Sequence, residues 1–121
     1  MKYEDIRDTL DTGDIVLFSG KGRISGLIKW VTKSEWSHIG MVLRLVEWNM
    51  LLLWESTTLS KIKDIQSGEA RQGVQLVPLS ERLKVYDGRV GIRRLNYFDK
   101  YQAVDTMALM EFRREVKGRP Y

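Results

Sequence analysis

Two apolar runs stand almost end to end in this chain, WSHIGMVLRLV (36–46) and NMLLLWEST (49–57), with EWN (47–49) at their junction. Both are short, rich in branched and aromatic residues, and bounded by polar segments, which is the signature of strands. A junction this short can only return the chain antiparallel to itself, as a hairpin. The rest of the chain must supply neighbours for that hairpin. DIVLFS (14–19), set between the turn DTGD and GKG, reads as one strand; GVQLVPLS (73–80), with Pro78 near its end, and GRVGIRRL (88–95) read as two more. Consecutive strands with short connections imply an antiparallel sheet and an α+β fold, either an open sheet or a small open barrel packed by helices.

Helical spacing appears at four places. Ile6 and Leu10 suggest a short helix over 3–10. Ile24, Leu27, Ile28 and Val31 fall at i, i+3, i+4 and i+7, with Trp30 on the flank, and predict a helix over 24–33 that stops near TKSE. LSERLK (79–84) is read as one helical turn capped by Ser80. A final helix is expected from about Asp99, with Tyr101, Val104, Ala108 and Phe112 on one face and Met107 beside them, closed by Gly118 and Pro120. The polar stretch 59–72 is expected to be a loop with a helical turn. There is no repeat, linker or low-complexity tract, so 1–121 is read as a single domain.

Composition narrows the chemistry. With no cysteine and one histidine, neither a disulfide framework nor a thiolate metal site can be built, and a zinc site is not expected. The formal charge is +4, with an acidic start, YEDIRDTLDTGD, and basic stretches RVGIRR and FRREVKGR toward the end. Such charges usually mark solvated faces. No aromatic-plus-basic stripe accompanies them, so no specific nucleic-acid partner is expected; a membrane surface is left open as a partner, and so is the oligomeric state. No run approaches the ~18 to 20 apolar residues of a membrane helix. The start also lacks the basic region of a signal peptide, so a cytoplasmic location is the default expectation.

The chemical candidates are few. GKGRISG (20–26) lies between a strand and a helix, but its glycines are spaced one residue too far apart for a dinucleotide fingerprint, and no Gly-Lys-Ser/Thr occurs for a phosphate loop. No cofactor is expected. His38 opens a strand, sharing a face with Gly40 and Val42, and the glycine suggests open space beside the imidazole. Glu55 continues an apolar row with Leu51 and Leu53, which is costly for a carboxylate unless it is paired or exposed. Across the hairpin it could orient His38 as the third member of a triad does; the simpler alternative is a strand-end acid in water. None of Ser19, Ser25, Ser34, Ser37 and Ser56 sits in an elbow motif, and Ser37 points away from His38's face.

GDIVLFS (13–19) followed by SHIGMVL (37–43) resembles the NlpC-type superfamily of papain-like cysteine hydrolases, with its Gly-Asp-hydrophobic strand and its His-x-Gly strand. The order of helix 24–33, WEST and KGRPY is similar to the circularly permuted, YiiX/YebB-like branch, related to the lecithin–retinol acyltransferase family. The resemblance implies a permuted papain-like fold with His38 as base, Glu55 as its polar partner, Gly13 and Asp14 as a structural turn, and a cysteine on a helix following the GRPY-like segment. It implies acyl transfer to water through a thioester, as in a cysteine peptidase or amidase, on peptide, peptidoglycan or lipid acyl substrates. These 121 residues lack that cysteine. They are expected to be the N-terminal part of a longer domain and inactive as given, with a non-catalytic pseudoenzyme or a binding module for peptidoglycan peptides or lipid headgroups as the alternative.

Overall fold

In the computed structural model, which describes residues 2–20, 27, 30, 35–58, 61–95 and 105–120, the two apolar runs form the expected hairpin. Strand β2 (His38–Leu45) passes through a 3-10 segment, Val46–Trp48, and returns as β3 (Met50–Thr57). Asn49 makes the reversal in the left-handed region at φ 47°, where asparagine is among the few residues that sit readily. Leu45 pairs with Met50 and Met41 with Trp54.

Three further strands complete the sheet: β1 (Ile15–Gly20), β4 (Gly73–Pro78) and β5 (Gly88–Arg93). The order is β4-β3-β2-β1-β5, and every neighbouring pair is antiparallel. The fold is α+β, and the sheet is open, so the barrel alternative is not adopted. Helix α1 (Tyr3–Ile6) runs into a 3-10 turn, Arg7–Thr9; α2 (Leu79–Lys84) links β4 to β5; α3 (Thr106–Val116) is the last element.

The central strands are apolar on consecutive residues because both faces of the sheet are covered. Leu51 and Leu53 turn to one face and join Leu10, Val16, Phe18, Val42, Ile62, Val77 and Leu79. Leu52 turns to the other face with Leu43 and Leu76, under Leu109 of α3. MLLLW is therefore a two-faced strand, and among the described residues no helix is long and apolar enough to cross a membrane. Asp14 is fully buried, and its carboxylate accepts from the N–H groups of Asp11 and Leu95, tying the turn before β1 to the chain beyond β5.

Gly73 shows where the fold needs a glycine. Its φ is 113°, and a Cβ there would meet the Arg119 carbonyl oxygen at 2.1 Å. That contact accompanies the bond from Val74 N–H to Arg119 O, which lays the C-terminal segment along the edge of β4.

Three expectations are corrected. Ser80 does not cap α2: the cap position is Pro78, with no side-chain capping bond, because the helix begins at Leu79 directly out of the strand. On α3 the inward residues are Leu109, Arg113 and Val116, four and three apart, while Met107 and Ala108 are exposed. Trp54 explains the shift, since Phe112 meets its ring edge-on at 6.0 Å and the Arg113 guanidinium lies over it at 5.7 Å. Nor does Gly40 leave space beside the imidazole: a Cβ there would stand 2.8 Å from Leu53 Cδ1, so Leu53 already fills the gap. Helix α3 starts behind Asp105, whose carboxylate accepts from Ala108 N–H. The expected start near Asp99, with Tyr101 and Val104, lies outside the described residues. So does the helix 24–33 apart from Leu27 and Trp30, and so does GKGRISG beyond Gly20.

Candidate active site

A row of side chains crosses four strands on the larger core face. Phe18 on β1 pairs with His38 on β2, and Glu55 on β3 pairs with Gln75 on β4. The hairpin register sets Glu55 diagonally across from His38, within reach of a long side chain. His38 Nε2 and Glu55 Oε1 are 2.6 Å apart. The imidazole is 22% exposed and the carboxylate not at all, so Glu55 is no strand-end acid in water.

The sequence did not anticipate what else holds Glu55. Arg82 reaches down from α2 and donates from Nε to Oε2 at 2.7 Å and from Nη2 to Oε1 at 3.2 Å. Gln75 donates from Nε2 to Oε2 at 3.0 Å. Arg82 is 1% exposed, and its guanidinium lies over the Phe18 ring at 4.4 Å and near the Tyr86 ring at 5.3 Å. Those two rings meet edge-on at 4.8 Å. Aromatic faces are among the few apolar surfaces that attract a cation, so this pocket accepts a charge that leucines would exclude.

The electrostatics follow from the contacts. Burial alone would raise the Glu55 carboxyl above its ordinary value, but the hydrogen bonds from His38 and Arg82, with their charges, outweigh it and hold the group lower. Glu55 is an anion with three cationic or donor partners, His38, Arg82 and Gln75. Burial also lifts the Tyr86 phenol above 10.0, against the pull of Arg82. The network is not saturated: Arg82 Nη1 and Gln75 Oε1 are buried without a hydrogen-bond partner. A buried cluster left partly unmatched stabilises less than its short distances suggest, and its clearer effect is to fix orientation.

With Nε2 held by Glu55, the imidazole's other nitrogen, Nδ1, has no hydrogen-bond partner among the described residues. A carboxylate on one nitrogen orients the ring and makes the other nitrogen the working base. His38 can thus accept or return a proton at Nδ1, while Arg82 and Gln75 hold the acid that holds it. Among the described residues no serine completes the set. Ser37 donates from its backbone N–H to Phe18 O at 2.8 Å, and its Oγ accepts from Gly20 N–H, which fastens β2 to β1. Ser25 and Ser34 lie outside the described residues. Among the described residues no cluster of three or more histidines and carboxylates could hold a metal ion.

An open groove of about 460 Å³ borders His38 and Glu55 and is lined by Ile39, Met41, Trp54 and Phe112. Its apolar walls come from the second face of the sheet and from α3.

Gln75 could have been found by the reasoning that singled out Glu55, and Arg82 only once its helix is known to pack on the sheet. Gln75 lies between Gly73 and Val77 on a core-facing row, and Arg82 lies three residues after the buried Leu79 on a helix. Three polar side chains at core positions are each costly alone and mutually explanatory together. No protein-family model matches the sequence, and no curated protein matches it either.

Proposed function

We propose that these residues carry the base and its orienting acid for a permuted papain-like, NlpC-type thiol hydrolase or acyltransferase, with the attacking thiol supplied from outside the 121 residues. The observation that carries the reading is the 2.6 Å contact of His38 Nε2 with Glu55, which leaves Nδ1 open to a proton donor. In the proposed reaction the thiol sulfur adds to the carbonyl carbon of an amide or ester while its proton passes to Nδ1. Collapse breaks the bond to the leaving amine or alkoxide, which takes the proton from the imidazole. Water then adds to the thioester, His38 takes its proton, and the acid and the thiol are released. Glu55 is the positioning residue, and Arg82 with Gln75 keeps it ionised and in place. Peptide, peptidoglycan and lipid acyl groups are the substrate classes that the sequence resemblance implies.

A second reading, a binding module without turnover, is favoured by the apolar groove beside His38 and by the absence of cysteine from the 121 residues. Intact mass and thiol titration of the protein made from its native gene separate the two. A mass above 14.1 kDa with a reactive thiol supports the hydrolase, and His38→Ala should then abolish turnover in a folded protein. A mass of 14.1 kDa with no thiol removes the hydrolase reading and leaves the module.

A further inference from the structure

We propose that the cleft between loop 61–72 and the C-terminal half of α3 is an oxyanion site that takes a phosphate dianion, free or as the head of a phosphomonoester. An inner recess of about 40 Å³ is lined by Arg71, Arg113 and Lys117 together with Gln66 and Ser67. That volume admits a few waters or one small ion. The recess shares Gln66, Arg113 and Lys117 with an outer, more open vestibule of about 370 Å³, to which Arg114 adds a fourth cation. The recess therefore opens to solvent through a basic mouth.

The charges there are not balanced from within. Among the described residues no carboxylate pairs with Arg71, Arg113 or Lys117. Asp64 lines the recess, but its oxygens are turned to the backbone N–H groups of Gln66, Ser67 and Leu76. Three cations against one carboxylate leave two positive charges, which matches a phosphate dianion better than a single carboxylate.

Basic residues in the last turns of a helix commonly do no more than complement its dipole. Two observations go beyond that. Arg71 comes from a different segment, held over Gly118 by a bond to that residue's carbonyl. Arg113 turns inward over Trp54, where it donates to Gln66 Oε1 at 2.8 Å and makes a weak contact with Met110 Sδ, while its Nε is buried with no acceptor. This guanidinium is short of acceptors; in agreement, burial pulls its pKa below the ordinary arginine value, against the charge of Asp64.

The site is independent of the His38 reading and is tested on the 121-residue chain by calorimetric titration. Inorganic phosphate and phosphoethanolamine are titrated in parallel, each against sodium chloride at equal ionic strength. The expected result is saturable binding at one site with a Kd of about 1 mM or tighter, weakened about tenfold by Arg113→Gln and by Lys117→Met and unchanged by Arg89→Gln. Binding of both probes identifies the phosphomonoester as a ligand, and binding of inorganic phosphate alone identifies the free ion. Lys117 is exposed, so its variant keeps the fold even where the Arg113 variant does not. A response no greater than that to chloride, or Lys117→Met binding as tightly as the unaltered chain, would overturn the proposal.

Discussion

Arg82 and Glu55 meet inside the core with Nε 2.7 Å from Oε2, the arginine side chain 1% exposed and the carboxylate fully covered. Bringing two charges out of water costs several kcal/mol per ion, so the pair survives only because each partner satisfies the other. Arg82→Met should therefore destabilise the protein by about 3–5 kcal/mol, since it strands a buried carboxylate. Glu55→Met with Arg82→Met should recover most of that loss, because no buried charge remains. Urea unfolding of both variants measures this, and equal loss in the single and double variants would show that packing, not charge, sets the cost.

The same carboxylate gives stability a pH dependence. Burial raises the Glu55 pKa, and the hydrogen bonds and charges of His38 and Arg82 lower it by more, so its folded value lies below the ordinary 4.5. A group with a depressed folded pKa binds protons more readily unfolded. Its contribution is complete above about pH 4.5 and is lost as pH falls through the folded value. Acid acts on more than this one group, so the informative quantity is a difference. The unaltered protein should lose more stability than Glu55→Gln between pH 5 and pH 3 in urea unfolding, and parallel curves would remove Glu55 from the effect.

Gly40 is the position where sequence and structure disagree most usefully. Two residues beyond the imidazole, a glycine suggests room for a ligand, yet Leu53 occupies that room from the next strand. Gly40→Ala should cost about 1–3 kcal/mol by overpacking, unless the Leu53 side chain rotates away. Combining it with Leu53→Val, which withdraws one carbon, should restore part of the loss. Additive losses in thermal unfolding would mean that the two side chains do not compete for one space.

What could be read in advance divides along physical lines. The hairpin, the strands and the diagonal approach of Glu55 to His38 follow from a period of two and a short junction, which are local facts. Arg82 was hidden because its partner is 27 residues away in sequence, on a different kind of element. Its position in LSERLK marks it as inward-facing only once the helix is known to pack its Leu79 face on the sheet. The filled space at Gly40 depends on which rotamer Leu53 takes, and the inward stripe of α3 on where Trp54 places its ring; neither is encoded in a single segment. The Ser80 cap failed for a simpler reason: β4 runs straight into α2, so Pro78 takes the position that a capping side chain would hold.

His38 is the only histidine in the chain, so a single imidazole reports on the site without assignment. Glu55 Oε1 lies 2.6 Å from Nε2 and accepts a hydrogen bond, which requires the neutral ring to carry its proton on Nε2 and its lone pair on Nδ1. Long-range proton–nitrogen NMR, recorded where the imidazole is neutral, distinguishes the two ring nitrogens directly. The unaltered protein should show a protonated Nε2 and a bare Nδ1, and Glu55→Leu should show a mixture of tautomers because nothing then selects between them. The base at Nδ1 depends on this tautomer, whatever nucleophile it serves. A proton found on Nδ1 would leave His38 with its lone pair against a carboxylate, unable to accept a proton from a substrate or a thiol, and the hydrolase reading would fail at its first step.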